Sequence, residues 1–479
     1  MVAAVCPREP NLSRHWSCLA LNGRSGSEVF AALFSDPVAH PLAALLESPT
    51  SEGGSGTAQL ARYSICAGAP YRLDGQPRLW TPEVGEILAM VRSHLTPANP
   101  QLSGPQLPAH LPFKGGYLGW FGYDLAWEIE QLPQLREDEL PFPVACWYEP
   151  DQLAVLDHHT QQLWLAASDP TALTQLTAQL AVRHPLPSFS GHTDPPQFAN
   201  TQAAFEQAVG KIKSHIAAGD IFQANFSLRF QTHTTAQPLA IYHRLQQINP
   251  SPFAAYWRTP WGHIVSCSPE RLVQLQARQA QTRPIAGTRP RGTTPPQDQQ
   301  LARELLANPK ENAEHTMLVD LERNDLGRVC KWGSVQVDEF CIVERYSHVM
   351  HLVSNVVGQL AASATTADLV AALFPGGTIT GCPKVRCMEI IETLEPVRRS
   401  LFYGSCGYLD WQGNLDLNIL IRTLLMAPLP TDPTAASPAT RSYAVWGQVG
   451  AGIVADSHPT QEWLESLQKA RAQLLALGL

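Results

Sequence analysis

One stretch constrains this chain more than any other: Phe374–Arg422, which opens FPGGTITGCPKVR and closes NLDLNILIR. Glycine turns, a lysine, arginines and carboxylates alternate there with short apolar runs. A segment that only had to pack would not need that mixture. A site that holds a small anion against backbone N–H groups does.

At 479 residues the chain exceeds one minimal core and calls for two domains or one large two-part domain. Hydrophobic residues make up 44% and charged residues 16%, a globular balance. The net charge of −8 provides no basic stripe for phosphates, so no nucleic-acid partner is expected. No apolar run is long enough to span a bilayer, so no membrane partner is expected either. The start, MVAAVCPREPN, does not read as a signal peptide. The ten cysteines form no CxxC pair. Cys382 and Cys387 are the closest two but lack a histidine cluster, so zinc is not implied and free thiols fit a cytoplasmic location.

Residues 184–200 are rich in Pro, Ser and Gly without periodicity. They mark the boundary between an N-terminal region, 1–190, and a C-terminal region, 198–479. SPTSEGGSGTAQ from Ser48 reads as a hairpin tip, and PLPTDPTAASPATRS from Pro428 as an exposed loop. LAVLDHHTQQLWLAA from Leu153 reads as a hairpin with a polar turn. Gln202–Ala218 reads as a helix with Phe205, Val209, Ile212 and Ile216 on one face, and IFQANFSLRF after it alternates like a strand. Hairpins mixed with separate helices predict an α+β fold, with layered antiparallel sheets flanked by helices. Neither GxGxxG nor GxxxxGK(S/T) occurs, so NAD and ATP are not implied.

Two Glu-x-x-Glu pairs stand out. Glu311 and Glu314 follow Asn308 and Pro309, a cap and first-turn proline for a helix. At 100° per residue they share a face with Leu318 and Leu321, so they are partly desolvated and need a cation. Glu462 and Glu465 begin the last helix but lie off its apolar stripe of Trp463, Leu467, Ala470, Leu474 and Leu477. Each pair alone reads equally as a solvated face. Together they form a hard oxygen set suited to Mg²⁺. His351 lies in an apolar segment, either as a structural histidine or as a proton donor to a leaving group. Arg422, flanked by aliphatics, is suited to a substrate carboxylate. Gly450-Ala451-Gly452 lets backbone approach an anion, or simply ends a strand.

These residues carry a resemblance. PIAGTRPRG, KENAEHTMLVDLERNDLGR, HLVSNV, FPGGTITGCPKVR, GYLDWQGNLD, IRT and GAGIVADSHPTQEWLE occur in this order. So ordered, the chain resembles the chorismate-utilising enzymes, the large subunits of anthranilate and aminodeoxychorismate synthases. LLES at Leu45–Ser48 and GGYLGWFGYD at Gly115–Asp124 extend the likeness into the N-terminal region. The resemblance implies that Glu314 and Glu465 hold Mg²⁺ against the ring carboxylate of chorismate, with Glu311 and Glu462 in neighbouring positions. It implies that Tyr408 and Arg422 bind the enolpyruvyl carboxylate. Gly287, Thr288, Gly450, Ala451 and Gly452 would contact substrate through backbone. His351 and Glu270 would help the C4 hydroxyl leave, and Thr378 and Lys384 would belong to the same pocket, Lys384 without a defined role. Leu46, Glu47, Ser48, Pro252 and Phe253 resemble the two halves of a tryptophan effector site.

Water-adding relatives carry Lys where this chain has Gln223, which is too weak a base for that task, so ammonia is the expected nucleophile. No glutaminase domain is recognisable, so ammonia would come from a separate glutaminase subunit. Gln223-x-Asn225, NPSPFAAY and FPGGTITG resemble the aminodeoxychorismate enzymes. Ala286 departs from their PIKGT pattern and matches the anthranilate enzymes. The product expected is 4-amino-4-deoxychorismate, with anthranilate as the alternative; a non-catalytic member that only binds an effector is a third reading, which the intact Glu, His and Arg set disfavours.

Overall fold

The computed structural model describes residues 13–48, 62–94, 101–182, 185–346, 349–430 and 441–479. The two low-complexity loops after Ser48 and Pro430 lie outside these residues. Among the described residues, one sheet of 13 strands and one of ten carry the fold, almost entirely through antiparallel pairing. This is the layered α+β architecture expected.

The sheets form where the sequence alternates or runs continuously apolar. The hairpin read from Leu153 is observed as Gln152–Asp157 against Gln162–Ala167. The strand after the boundary runs Gln223–Thr234 and pairs along its length with Tyr443–Ile453. Between the two sheets lies an apolar core. Trp257 of the larger sheet meets Trp120 of the smaller one edge to face at 5.6 Å, and both are fully buried. The opposite face of the larger sheet is covered by helices. Helix Gln202–Ala217 buries Phe205, Val209 and Ile212 as its periodicity requires. Phe205 packs on Phe226 of the sheet at 5.0 Å and on Trp463 of the last helix, Pro459–Ala476, at 5.4 Å.

The two sequence regions do not form two bodies in space. Strand Ala43–Glu47 pairs with Phe253–Thr259, with Leu46 opposite Ala255. Strand Gly116–Phe121 pairs with Ser405–Asp410, with Gly119 opposite Gly407. Each sheet is thus assembled from both regions, and residues 184–200 divide the chain without dividing the fold. Backbone pairing on this scale fixes the C-terminal strands that carry the site residues.

Candidate active site

The floor of the site is the paired strands Gln223–Thr234 and Tyr443–Ile453. Gln223 and Asn225 project on one face, as residues two apart on a strand must. The Gln223 side-chain amide donates to Glu314 Oε1 at 2.9 Å. The Asn225 amide donates to the Thr378 carbonyl at 3.2 Å. A methyl group on Gly452 would lie 2.5 Å from Gln223 Nε2, and one on Gly450 would lie 2.7 Å from Asn225 Oδ1 and 3.0 Å from the Tyr403 hydroxyl. These glycines are therefore needed for close approach. Gln223 Oε1, Asn225 Oδ1 and the Tyr403 hydroxyl are all buried without a hydrogen-bond partner. Interiors rarely leave such groups alone. Three around one patch of strand mark a place for a polar ligand.

One wall is strand Ile285–Pro290, which pairs with Val349–Gln359. A bulge at Gly287, φ +58°, brings Thr288 opposite His351. His351 Nδ1 lies 3.3 Å from the Gly287 carbonyl and 3.0 Å from the Thr288 hydroxyl. A carbonyl only accepts, so Nδ1 carries the hydrogen and Nε2 keeps its lone pair. Burial, with Arg422 nearby, holds the imidazole down at about 4, so it is neutral at pH 7. Arg422 is half-buried, and its side chain makes no hydrogen bond or ion pair among the described residues; desolvation lowers its affinity for a proton. Its backbone is left-handed, φ +51°, as is that of Tyr403, φ +65°. Non-glycine residues held in that region cluster at functional sites.

Glu270 is 6% exposed. Burial raises its carboxyl to about 8, helped by Glu322, while Thr378 and the Ile285 N–H oppose the rise. The Thr378 hydroxyl lies beside that carboxyl without meeting hydrogen-bond geometry. Glu270 is therefore a buried acid that keeps its proton at neutral pH.

Asn308 caps helix Pro309–Gly327 as the sequence predicted, accepting from Lys310 and Glu311 N–H at 3.0 and 3.2 Å. Glu314 is raised by burial and by Glu311 beside it; Glu462 is raised by burial and by Glu465. Both also feel Lys310 and Lys469, which puts the two pairs on either side of one basic spot. Lys469 Nζ reaches Glu465 at 2.8 Å and the Gly450 carbonyl at 2.9 Å. Glu462 is buried at 7%, so the reading of it as a solvated residue is corrected: the buried face of the last helix is wider than the predicted stripe and takes in Glu462, Ser466 and Gln473. Among the described residues no three acidic, histidine or cysteine side chains close into a metal cage. Carboxylates raised by burial and by one another suit an added cation. An open set fits Mg²⁺, which keeps waters and shares substrate oxygens.

Three expectations are corrected. Tyr408 does not face this site. It lies in strand Ser405–Asp410, packs on Phe113 at 5.4 Å, and lines a separate cavity of about 660 Å³. The tyrosine beside Gly450 is Tyr403, five residues earlier, which sequence reasoning missed; its signal was a tyrosine placed directly before the Gly404 turn. Lys384 is tied to Asp325 at 2.6 Å and to the Leu373 carbonyl at 3.0 Å rather than lying free for substrate. The cavity lined by Tyr408 also gathers Leu46, Glu47, Ser48, Pro252 and Phe253, so the five residues that resemble an effector site meet in one place. The Glu47 carboxylate is nevertheless occupied. It accepts from Ser27 N and Oγ at 2.9 and 2.6 Å, Tyr242 at 3.2 Å and Gln246 at 2.6 Å.

The profile of the chorismate binding enzyme family matches residues 52–475. An anthranilate synthase component I-like protein of Synechocystis sp. is 56% identical over 97% of this chain and 92% of its own length. Aminodeoxychorismate synthase component 1 of Bacillus subtilis is 45% identical over 77% of this chain and 78% of its own. The crystal structure of anthranilate synthase component I from Streptococcus pneumoniae superposes with a TM-score of 0.70 at 29% identity, covering 89% of this chain and 94% of that one. The chain belongs to the chorismate-binding enzymes. It falls in the anthranilate and aminodeoxychorismate synthase component I group.

Gly452→Ala tests the floor of the site. The added methyl must push the Gln223 amide away from Glu314. Turnover should fall about 10²-fold, the cost of a roughly 1 Å misplacement in a positioned site, while the thermal midpoint stays near that of the parent. A fully active Gly452→Ala enzyme would show that the floor is not in contact with substrate.

Proposed function

We propose that this chain aminates chorismate with ammonia to give 4-amino-4-deoxychorismate, releasing the C4 hydroxyl as water. One observation carries the product choice: Asn225 donates to the Thr378 carbonyl. Asn225 and Thr378 belong to two separate sequence patterns that resemble the aminodeoxychorismate enzymes, and they touch. The valine that anthranilate synthases tend to have at the Asn225 position could not make this bond. Anthranilate formation, which adds loss of pyruvate, is the second reading. Ala286 favours it, because that position offers no amine for covalent attack on the ring.

Both reactions need the C4 hydroxyl protonated as it leaves. Glu270 is the group that holds a proton at neutral pH, and it supplies one here. His351, neutral, orients the ring through its free Nε2. Arg422 and the Tyr403 hydroxyl meet the enolpyruvyl carboxylate, and the Gly450 to Gly452 strand lies against the ring. Glu314 and Glu465, with Glu311 and Glu462 behind them, would hold Mg²⁺, which supplies charge neutralisation for the ring carboxylate. Gln223 is committed to Glu314 and offers no base for water. Ammonia would come from a separate component II, as the component names of the relatives imply.

Incubating the pure chain with chorismate, Mg²⁺ and ammonium tests the reading directly. A product that a 4-aminobenzoate-releasing lyase converts is expected. Fluorescent anthranilate without lyase would establish the second reading, and no consumption of chorismate would overturn both. Glu314→Gln should abolish turnover, and added Mg²⁺ should rescue little, because the ligand itself is changed.

The acid assignment makes a signed prediction. At fixed free ammonia, kcat/KM should be sustained below the Glu270 value of about 8 and fall as pH rises through it. Glu270→Gln should lower kcat by about 10²–10⁴-fold and erase that limb. A flat profile to pH 9.5 would remove Glu270 from the role.

The 660 Å³ cavity is read as a tryptophan site, since the predicted effector residues line it together with Arg271 and Asp416. Calorimetry should detect tryptophan binding, and Tyr408→Ala should weaken it without changing chorismate KM. No heat at millimolar tryptophan would discard the assignment.

A further inference from the structure

Lys384 has no task in the site described so far. It opens helix Lys384–Leu394, and its side chain is 11% exposed. Its ammonium makes two fixed contacts. One is Asp325 Oδ2 at 2.6 Å, on helix Pro309–Gly327. The other is the carbonyl of Leu373 at 3.0 Å, the last residue of helix Thr366–Leu373. That carbonyl immediately precedes the turn that carries Gly377 and Thr378.

Asp325 does not act alone. Glu322 lies one turn earlier on the same helix and is buried. It accepts from the Thr282 hydroxyl at 3.1 Å and lies against Gly377, where an added methyl would sit 3.6 Å from Glu322 Oε1. A methyl on Gly377 would strike Leu321, so this helix packs directly on the turn. Thr378, the next residue, lies beside the Glu270 carboxyl. A continuous set of contacts thus runs from Lys384 through Asp325 and Glu322 to the Gly377–Thr378 turn, and ends at Glu270.

The charges along this line are unbalanced without the lysine. Of the three buried carboxyl groups Glu270, Glu322 and Asp325, only Asp325 touches the ammonium, and Glu322 feels its charge through space. Buried charge is tolerated only where it is paired. Glu322 is opposed by Asp325 and relieved by Lys384; Asp325 is relieved by Lys384 and, less directly, by Arg328. Glu270 faces Glu322 from this helix and the Tyr346 hydroxyl from the neighbouring strand end.

We propose that Lys384 is a positioning residue of the active site: with Asp325 and Glu322 it fixes the Gly377–Thr378 turn against Glu270 and keeps a negative charge behind the Glu270 carboxyl. The inference rests on the reading that Glu270 protonates the departing hydroxyl. Its sign follows from the charges. Without the ammonium, Asp325 and Glu322 take up a proton more readily. The charge that holds the proton on Glu270 then weakens, and Glu270 ionises at lower pH.

The test compares the parent with Lys384→Arg and Lys384→Met in the full chain, using chorismate, Mg²⁺ and fixed free ammonia. Lys384→Met should lower kcat about 10–100-fold through displacement of the turn. Its chorismate KM should stay within about threefold, because no substrate contact is lost. The alkaline limb of kcat/KM should move to lower pH. Lys384→Arg, which keeps the charge, should leave the limb in place and recover most of the rate. A folded Lys384→Met enzyme with the limb unmoved overturns the proposal. So does a rise in KM with kcat unchanged, which would make Lys384 a substrate ligand. If Lys384→Met does not fold, Glu322→Gln removes the negative charge behind Glu270 directly and keeps an acceptor for Thr282; it must also move the limb to lower pH, or the proposal fails. Should the parent not consume chorismate, the functional reading fails by itself. The Glu270 titration is then followed by difference infrared spectroscopy of parent against Glu270→Gln, and it must still shift to lower pH in Lys384→Met.

Discussion

The bidentate ion pair between Arg399 and Glu395 is the constraint on which the site depends. Arg399 Nε and Nη2 meet the two Glu395 oxygens at 2.9 and 2.7 Å, and both side chains are almost wholly buried. The pair is also a junction. Arg399 donates to the carbonyls of Ile379 and Asn225, each at 2.8 Å, while Glu395 Oε1 accepts from the Ser227 N–H at 2.8 Å. The Arg399 guanidinium lies over the Tyr403 ring at 4.5 Å and the Tyr123 ring at 4.9 Å. The strand floor, the Thr378 turn and Tyr403 are thus referenced to one buried charge pair. Removing one partner of such a pair typically costs about 3–5 kcal/mol, because the other charge is left stranded. Here the loss would also release three pieces of the site from one another.

Around that junction the molecule sorts its ionisable groups by burial. His351 is enclosed and neutral; Glu270 is enclosed and protonated; Arg422 is half-buried, with a guanidinium that has no partner among the described residues. An acid and a neutral imidazole are the useful states for expelling a hydroxyl at neutral pH, and a lone guanidinium is the useful state for receiving a carboxylate. The open glutamate pairs complete the pattern. They are costly to keep near one another until a cation joins them.

Much of this was legible in the sequence, for reasons that can be named. The cap at Asn308, the helical stripe of Gln202–Ala217 and the hairpin from Gln152 obey local rules, and local rules survive folding. What failed depended on side-chain direction or on distant partners. Tyr403 and Tyr408 stand five residues apart in one motif, but one sits in a left-handed turn and the other in a regular strand that sends it to a different cavity. Glu462 read as solvated because the apolar stripe marks only part of the buried face, which extends past Trp463 and Ala470 to Glu462, Ser466 and Gln473. Glu47 read as an effector ligand, yet its oxygens are spent on Ser27, Tyr242 and Gln246, the last two some 200 positions away along the chain by their contact separations of 195 and 199. Lys384 had no readable role because its acidic partner, Asp325, lies on another helix 59 positions away.

The interleaving of the two sheets has a consequence for how this chain comes into being. Strand Ala43–Glu47 pairs early with Tyr63–Ala67, but its other edge stays open until Phe253–Thr259 exists; likewise Gly116–Phe121, paired with Ala145–Tyr148, waits for Ser405–Asp410. A nascent chain therefore carries open strand edges through most of its synthesis, and such edges are templates for pairing with the wrong chain. Non-local pairing of this kind also folds slowly. A cell that makes this protein has to shelter its first half until the last quarter arrives, and no cut at residues 184–200 would yield a catalytic half able to stand alone.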